Sequence, residues 1–170
     1  MRLGEVLALT WNDFEGETLN INKSYSKKAN EDGEGIKDTK TDSSMRIVNL
    51  DKNLVEKLND FKSKEVKVYG FKSSWFIFGR NKPYSRNAIA NAKSVAAKEA
   101  GLNEIRIQDF RHSQATLLIN NKINIVAISK RLGHSDINMT LKVYSHLLEK
   151  SNTELVDFLE KTSHKVLTDD

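Results

Sequence analysis

The spacing of hydrophobic positions changes period twice along this chain. Leu3, Val6, Leu7 and Trp11 recur at i, i+3, i+4 and i+8, which predicts one face of a helix at the start. From Glu17 the period becomes two. Leu19, Ile21 and Lys23 alternate with Thr18, Asn20 and Asn22, as in a half-buried strand. Residues 30–35 (NEDGEG) have the composition of a turn. A second strand is predicted over residues 36–39, a turn over 41–44 and a third strand over 45–50. Three short strands in succession predict an antiparallel meander.

Helical spacing then takes over. Leu54, Leu58 and Phe61 mark a helix over about 51–64, and WFIF at 75–78 reads as a strand or a buried loop. Pro83, the single proline, and Ser85 precede a helix over 86–100. Its apolar face would be Ile89, Ala92, Val95 or Ala96, and Ala100, with Gly101 just past its end. Further helices are predicted over 109–120, 125–132 and 137–144, the last two separated by Gly133-His134-Ser135. Ser151 with Glu154 three residues on forms a capping box for a final helix carrying Leu155, Phe158 and Leu159. The tail from Ser163 should fray. The predicted fold is α+β: a mostly helical domain with a small three-stranded antiparallel sheet near the N-terminus.

Composition narrows the picture. With 170 residues the chain is expected to form one domain able to fold without staples. There is no cysteine, which excludes a disulfide scaffold, a zinc ribbon and a thiol nucleophile. No apolar run approaches the ~20 residues of a membrane-spanning helix, and no signal peptide is visible. A soluble, cytoplasmic protein is expected. Charge is uneven: residues 51–150 carry 18 basic and 9 acidic groups, whereas 1–50 carry 7 and 9. A basic middle suits a polyanion such as nucleic acid, and equally a solvated Lys-rich surface.

Several short patterns could carry chemistry. Arg2-Leu3-Gly4-Glu5 opens the first helix. Lys40 sits in Thr39-Lys40-Thr41, just before the turn between the second and third strands. Gln108-Asp109-Phe110-Arg111-His112 begins a helix, and Leu132-Gly133-His134 precedes Tyr144-Ser145-His146. Singly, each has an ordinary explanation. Arg2 and Glu5 could be a surface ion pair, Lys40 a solvated turn residue, Leu-Gly-His a helix stop and Tyr144 a core side chain. Residues 127–144 could also pass for a helix-turn-helix, hence a DNA-binding regulator with no chemistry. That alternative leaves Arg2, Lys40 and Arg111 unexplained; a catalytically silent remnant that still binds DNA is a third reading.

Read in order, the patterns resemble the tyrosine site-specific recombinases, the family of phage and conjugative-transposon integrases. That family's catalytic domain carries an R-x-G-E helix, a hairpin Lys, H-x-x-R at a helix start, L-G-H, and a nucleophilic Tyr in a Y-x-H-type ending. The resemblance covers nearly the whole chain. It implies that Arg2 and Arg111 clamp the scissile phosphate and that His134 hydrogen-bonds a phosphate oxygen. It implies that Lys40 protonates the 5′ leaving group and that Tyr144 forms a 3′-phosphotyrosine link. Glu5 and Asp109 would orient their neighbours, and His112 and His146 would be structural or DNA-near.

Gln108 stands where the family usually has His. Glutamine donates and accepts hydrogen bonds but takes up no proton near neutral pH. A phosphate contact is therefore implied there, with water or another group accepting the Tyr144 proton in a slower but active enzyme. The chemistry suits the residues. Guanidinium forks match phosphate geometry, and a covalent phosphotyrosine conserves the bond energy for rejoining. No carboxylate cluster suited to Mg²⁺ stands out, and neither metal nor cofactor is expected.

The resemblance further implies double-stranded DNA attachment sites as partners. It implies a homotetramer on DNA, with the segment after Tyr144 docking in trans. Residues 1–162 would be the catalytic domain and 163–170 a flexible tail. Arg2 lies one residue from the chain's start, so the domain is expected to be incomplete there, with DNA-binding domains upstream. The piece alone is expected to be inactive in recombination.

Overall fold

The computed structural model of the protein describes residues 1–26, 35–38 and 45–142. Helix α1 (Leu3–Ala8) is shorter than its apolar spacing suggests, and the backbone is already extended at Leu9. Trp11 is buried all the same, because a 3-10 turn over Trp11–Asp13 carries its ring inward. Asp13 ties that turn. Its carboxylate accepts from the Thr10 amide and hydroxyl, each at 2.7 Å, and from Lys23 Nζ at 2.6 Å. This new cap at Thr10 ends the first helical face early.

Strands β1 (Phe14–Glu15), β2 (Thr18–Ile21) and β5 (Arg46–Asn49) form a three-stranded antiparallel sheet in the order β1-β2-β5. Strands β3 (Lys23–Ser26) and β4 (Gly35–Asp38) form a separate antiparallel ribbon. The small sheet is present as expected, but it is not a meander. The strand expected at 36–39 pairs with β3, and β2 pairs directly with β5. Only Asn22 separates β2 from β3, so one extended run offers partners to both later strands. Asp38 stands opposite Lys23, and Arg46 stands opposite Ile21.

Leu19, Ile21 and Val48 project from the sheet into a core with Leu9, Trp11, Phe14, Trp75 and Ile77. Each large apolar side chain contributes about 1.5–3 kcal/mol when fully buried. The 75–78 run is a buried loop joined to residues 9–11. Trp11 donates its amide to the Trp75 carbonyl at 3.1 Å, and Ile77 to that of Leu9 at 2.9 Å. Helix α2 (Lys52–Glu65), capped by Asp51, sets the Phe61 ring edge-on to Trp11 at 5.4 Å.

Helix α3 (Arg86–Glu99) starts at its Ser85 cap, but the expected apolar face does not bury. Ala92, Val95, Ala96 and Ala100 are exposed. Lys93 and Ser94 instead turn toward Glu104, with Lys93 Nζ 2.8 Å from its carboxylate and Ser94 Oγ also donating to it.

A second core joins α4 (Ile107–Asn120) to α5 (Ile125–Leu132) through Ala115, Ile119, Ile128 and Leu132. Helix α4 begins two residues earlier than its pattern suggests, because Asp109 accepts from the Arg106 amide at 2.9 Å and caps it. Asn124 caps α5, which ends at Gly133 in the left-handed conformation (φ 68°, ψ 48°). Helix resumes over 138–142. Tyr144, the helix expected from Ser151 and the tail from Ser163 lie outside the described residues. Among the described residues, no helix is long and apolar enough to cross a membrane.

Candidate active site

Arg2 is the cap residue of α1. Its amide donates to Glu5 Oε2 at 2.8 Å and its Nη1 to Oε1 at 3.1 Å. The Glu5 carboxylate therefore both starts the helix and aims the arginine. The Arg2 side chain stays 43% exposed, with donors left to reach outward. Gly4 lets α1 lie on β3: a Cβ there would fall 2.5 Å from Ser24 Oγ and 2.9 Å from the Tyr25 carbonyl oxygen.

Gln108 and Arg111 sit three residues apart on the first turns of α4, hence on one side of it. The capping bond from Asp109 fixes where that helix begins. Asp109 itself pairs with Arg106, at 3.2 Å, so it orients the helix rather than a site residue. His134 follows the left-handed Gly133, and its Nδ1 lies 2.7 Å from Oγ1 of the fully buried Thr140.

These elements converge. Arg2, Gln108, Arg111 and His134 line one cleft of about 450 Å³, together with His112 and Arg86. Residues 24–26 of β3 form a wall, and Ala115, Leu132 and Met139 supply apolar surface. Both Nη atoms of Arg111 are buried and have no hydrogen-bond partner among the described residues. Such donors are costly to leave unsatisfied, and they mark a place prepared for an acceptor.

The electrostatics agree. Burial, then the neighbouring charge of Arg2, pushes the Arg111 guanidinium down to about 10, still protonated at neutral pH. Burial, followed by the charges of Arg111, Arg2 and Arg46, pushes His134 down to about 4. A neutral imidazole keeps one donor and one acceptor nitrogen. An anion entering the cleft would relieve both groups.

Lys40 and Tyr144 lie outside the described residues. Strand β4 ends at Asp38, two residues before Lys40, and the described helical turn ends at 142, two residues before Tyr144. Lys23, also on the ribbon, is held by Asp13 and does not line the cleft. Three residues of the neighbourhood carried no signal in the sequence. Arg86 begins α3 and lines the cleft, Thr140 seats His134, and Arg46 bonds to Glu5 at 2.9 Å.

Comparison with known proteins gives a consistent result. The sequence pattern of the phage integrase family matches residues 1–151. The chain is 33% identical over 167 residues to the ICEBs1 integrase of Bacillus subtilis (strain 168), covering 94% of this chain and 45% of that protein. It is 33% identical over 171 residues to the integrase of Staphylococcus phage L54a, covering 95% and 48%. The chain thus spans about half the length of these relatives. Among solved structures, the Tn1549 transposon integrase in complex with transposon right end DNA superposes with a TM-score of 0.75 at 20% identity, covering 94% of this chain and 55% of that one. The XerA recombinase superposes at 0.66 and 21%, covering 90% and 53%. The family pattern spans most of the chain, residues 1–151 of 170, and the chain belongs to the phage integrase family.

Proposed function

We propose that this chain supplies the catalytic part of a site-specific DNA recombinase that cleaves and rejoins strands through a 3′-phosphotyrosine. The observation that carries the reading is Arg111: two buried donors with no partner among the described residues, beside Arg2, Gln108 and His134 in one cleft. A phosphodiester offers paired anionic oxygens that accept from such a fork.

In this reading Arg2 and Arg111 bind the non-bridging oxygens and stabilise the charge that develops there. His134 and Gln108 add hydrogen bonds. The Tyr144 oxygen attacks phosphorus, the P–O5′ bond breaks, and a 3′-phosphotyrosine forms. The departing 5′ oxygen takes a proton from Lys40. The Tyr144 proton passes to water or another group, because Gln108 cannot hold it. A phenol of pKa about 10 needs positive surroundings to lose that proton near neutrality, and the arginines supply them. Attack by the 5′-hydroxyl of a second strand reverses the step and completes exchange. The partners would be duplex attachment sites, with four copies on DNA and the segment after Tyr144 docking in trans.

Covalent trapping tests this. Full-length protein is incubated with nicked attachment-site duplex and run on a denaturing gel. A protein–DNA adduct that disappears in Tyr144→Phe is expected. Salt-sensitive binding with no adduct across several nick positions would favour the regulator reading instead.

A further inference from the structure

We propose that Arg46 is a positioning residue that joins the two sides of the cleft and so sets the geometry of the phosphate clamp. The inference rests on the recombinase reading for the identity of the anion, but not for the geometry.

Arg46 opens β5, and its side chain is only 8% exposed. Its Nη2 donates to Glu5 Oε2 at 2.9 Å and its Nη1 to Oε1 at 3.4 Å. Its Nε donates to the Arg131 carbonyl at 2.9 Å. One guanidinium thus grips the carboxylate that aims Arg2 and, on another edge, the last turn of α5. That turn leads through Gly133 into His134. A second bond runs the other way, from Arg131 Nη1 to the Asn49 carbonyl at 3.0 Å, so β5 and α5 are stitched twice.

Gly133 completes the arrangement. A Cβ at this position would lie 2.5 Å from Arg46 Nη1 and 2.7 Å from Cζ. The glycine therefore serves the left-handed helix end and leaves room for the guanidinium. Arg46 itself does not line the cleft. Its action on substrate must pass through Glu5–Arg2 on one side and the His134 turn on the other. Lysine could keep the charge but not the three-directional planar fork.

The variants are Arg46→Lys and the pair Arg46→Gln/Glu5→Gln, which removes the buried charge together with its partner. Circular dichroism establishes that each folds. The first readout is the His134 imidazole NMR signal, assigned by its loss in His134→Asn, during titration with inorganic phosphate. The second is single-turnover adduct formation on nicked duplex, measured beside DNA affinity. For Arg46→Lys the expected result is a shifted His134 signal and phosphate affinity reduced about 10-fold. Cleavage should fall about 100-fold, the scale set by an ångström of misplacement, with DNA affinity changed less than 3-fold. A folded Arg46→Lys protein with the parent's His134 signal and cleavage rate would overturn the proposal. Adduct formation is measured in the full-length protein, and if the full-length parent forms no adduct at all, the recombinase reading fails. The His134 signal and phosphate titration then still decide whether Arg46 sets the cleft.

Discussion

Gly133→Ala isolates the long-range contact at the centre of this molecule. Two costs add. Gly133 has φ 68°, and an L-residue in the left-handed region is disfavoured by about 1–2 kcal/mol. The new methyl would also sit 2.5 Å from Arg46 Nη1, so the guanidinium must move. An arginine end is normally free to do so. This one is held by Glu5 and by the Arg131 carbonyl, and losing one hydrogen bond to a charged group costs about 1.5–3 kcal/mol. The sum is about 2.5–5 kcal/mol. Gly101→Ala is the control. Its φ is 66°, and a Cβ there would meet no non-neighbouring heavy atom within 4 Å among the described residues. That variant meets the backbone cost alone, about 1–2 kcal/mol. Urea unfolding of both variants beside the parent gives the comparison. A larger midpoint drop for Gly133→Ala, at unchanged slope, is expected. Equal losses in the two variants would show that Arg46 yields freely and that its bonds to Glu5 and Arg131 contribute nothing measurable.

Gly4→Ala should lift α1 from β3, because its Cβ meets both Ser24 Oγ and the Tyr25 carbonyl; a loss of about 1–3 kcal/mol in urea unfolding is expected. His134 titrates at about 4 in the folded cleft against 6.5 ordinarily, chiefly through burial and then the nearby arginines. The unfolded chain therefore takes the proton first, and stability present above pH 6.5 drains as pH falls toward 4. His134→Asn should flatten that part of the unfolding profile, and an unchanged profile would remove His134 as its source. Gln108→His should speed adduct formation and add a titrating limb near neutral pH. An unchanged rate and pH profile would mean that the position never limited the reaction.

What the sequence made legible was short in range. Arg2 and Glu5 stand three residues apart, as do Gln108 and Arg111, and His134 follows a helix stop. Each relation spans one turn of backbone, so spacing shows the pairing, but it was the resemblance to the recombinase motifs that singled these residues out. Arg46 was not legible for the opposite reason. Glu5 is 41 residues away and Arg131 is 85. Local alternation is ambiguous as well: Met45 and Ile47 mark one face of β5, and Val48 with Leu50 marks the other. The structure turns Val48 inward and leaves Ile47 70% exposed, which brings Arg46 to the buried side. The meander failed similarly, since alternation identifies a strand without naming its partner. On α3, alanine spacing assigned to the interior a face that the structure leaves exposed, with Lys93 and Ser94 turned toward Glu104.

Glu5 explains why this cleft holds positive charge and still folds. Burial alone would raise its carboxyl, but hydrogen bonds from Arg46 and Arg2 hold it below the ordinary value. A charged carboxylate 2% exposed is thereby satisfied, and two guanidiniums are compensated around it. Arg111 is left out of that arrangement: Glu5 favours its charge only through space, and no side chain among the described residues takes its donors. A second carboxylate here would satisfy Arg111 and compete with any incoming anion. With one carboxylate shared by Arg2 and Arg46, the structure is held together on one side of the cleft. On the other side the Arg111 fork remains uncommitted, and an anion binding there gains hydrogen bonds without first breaking an internal salt bridge.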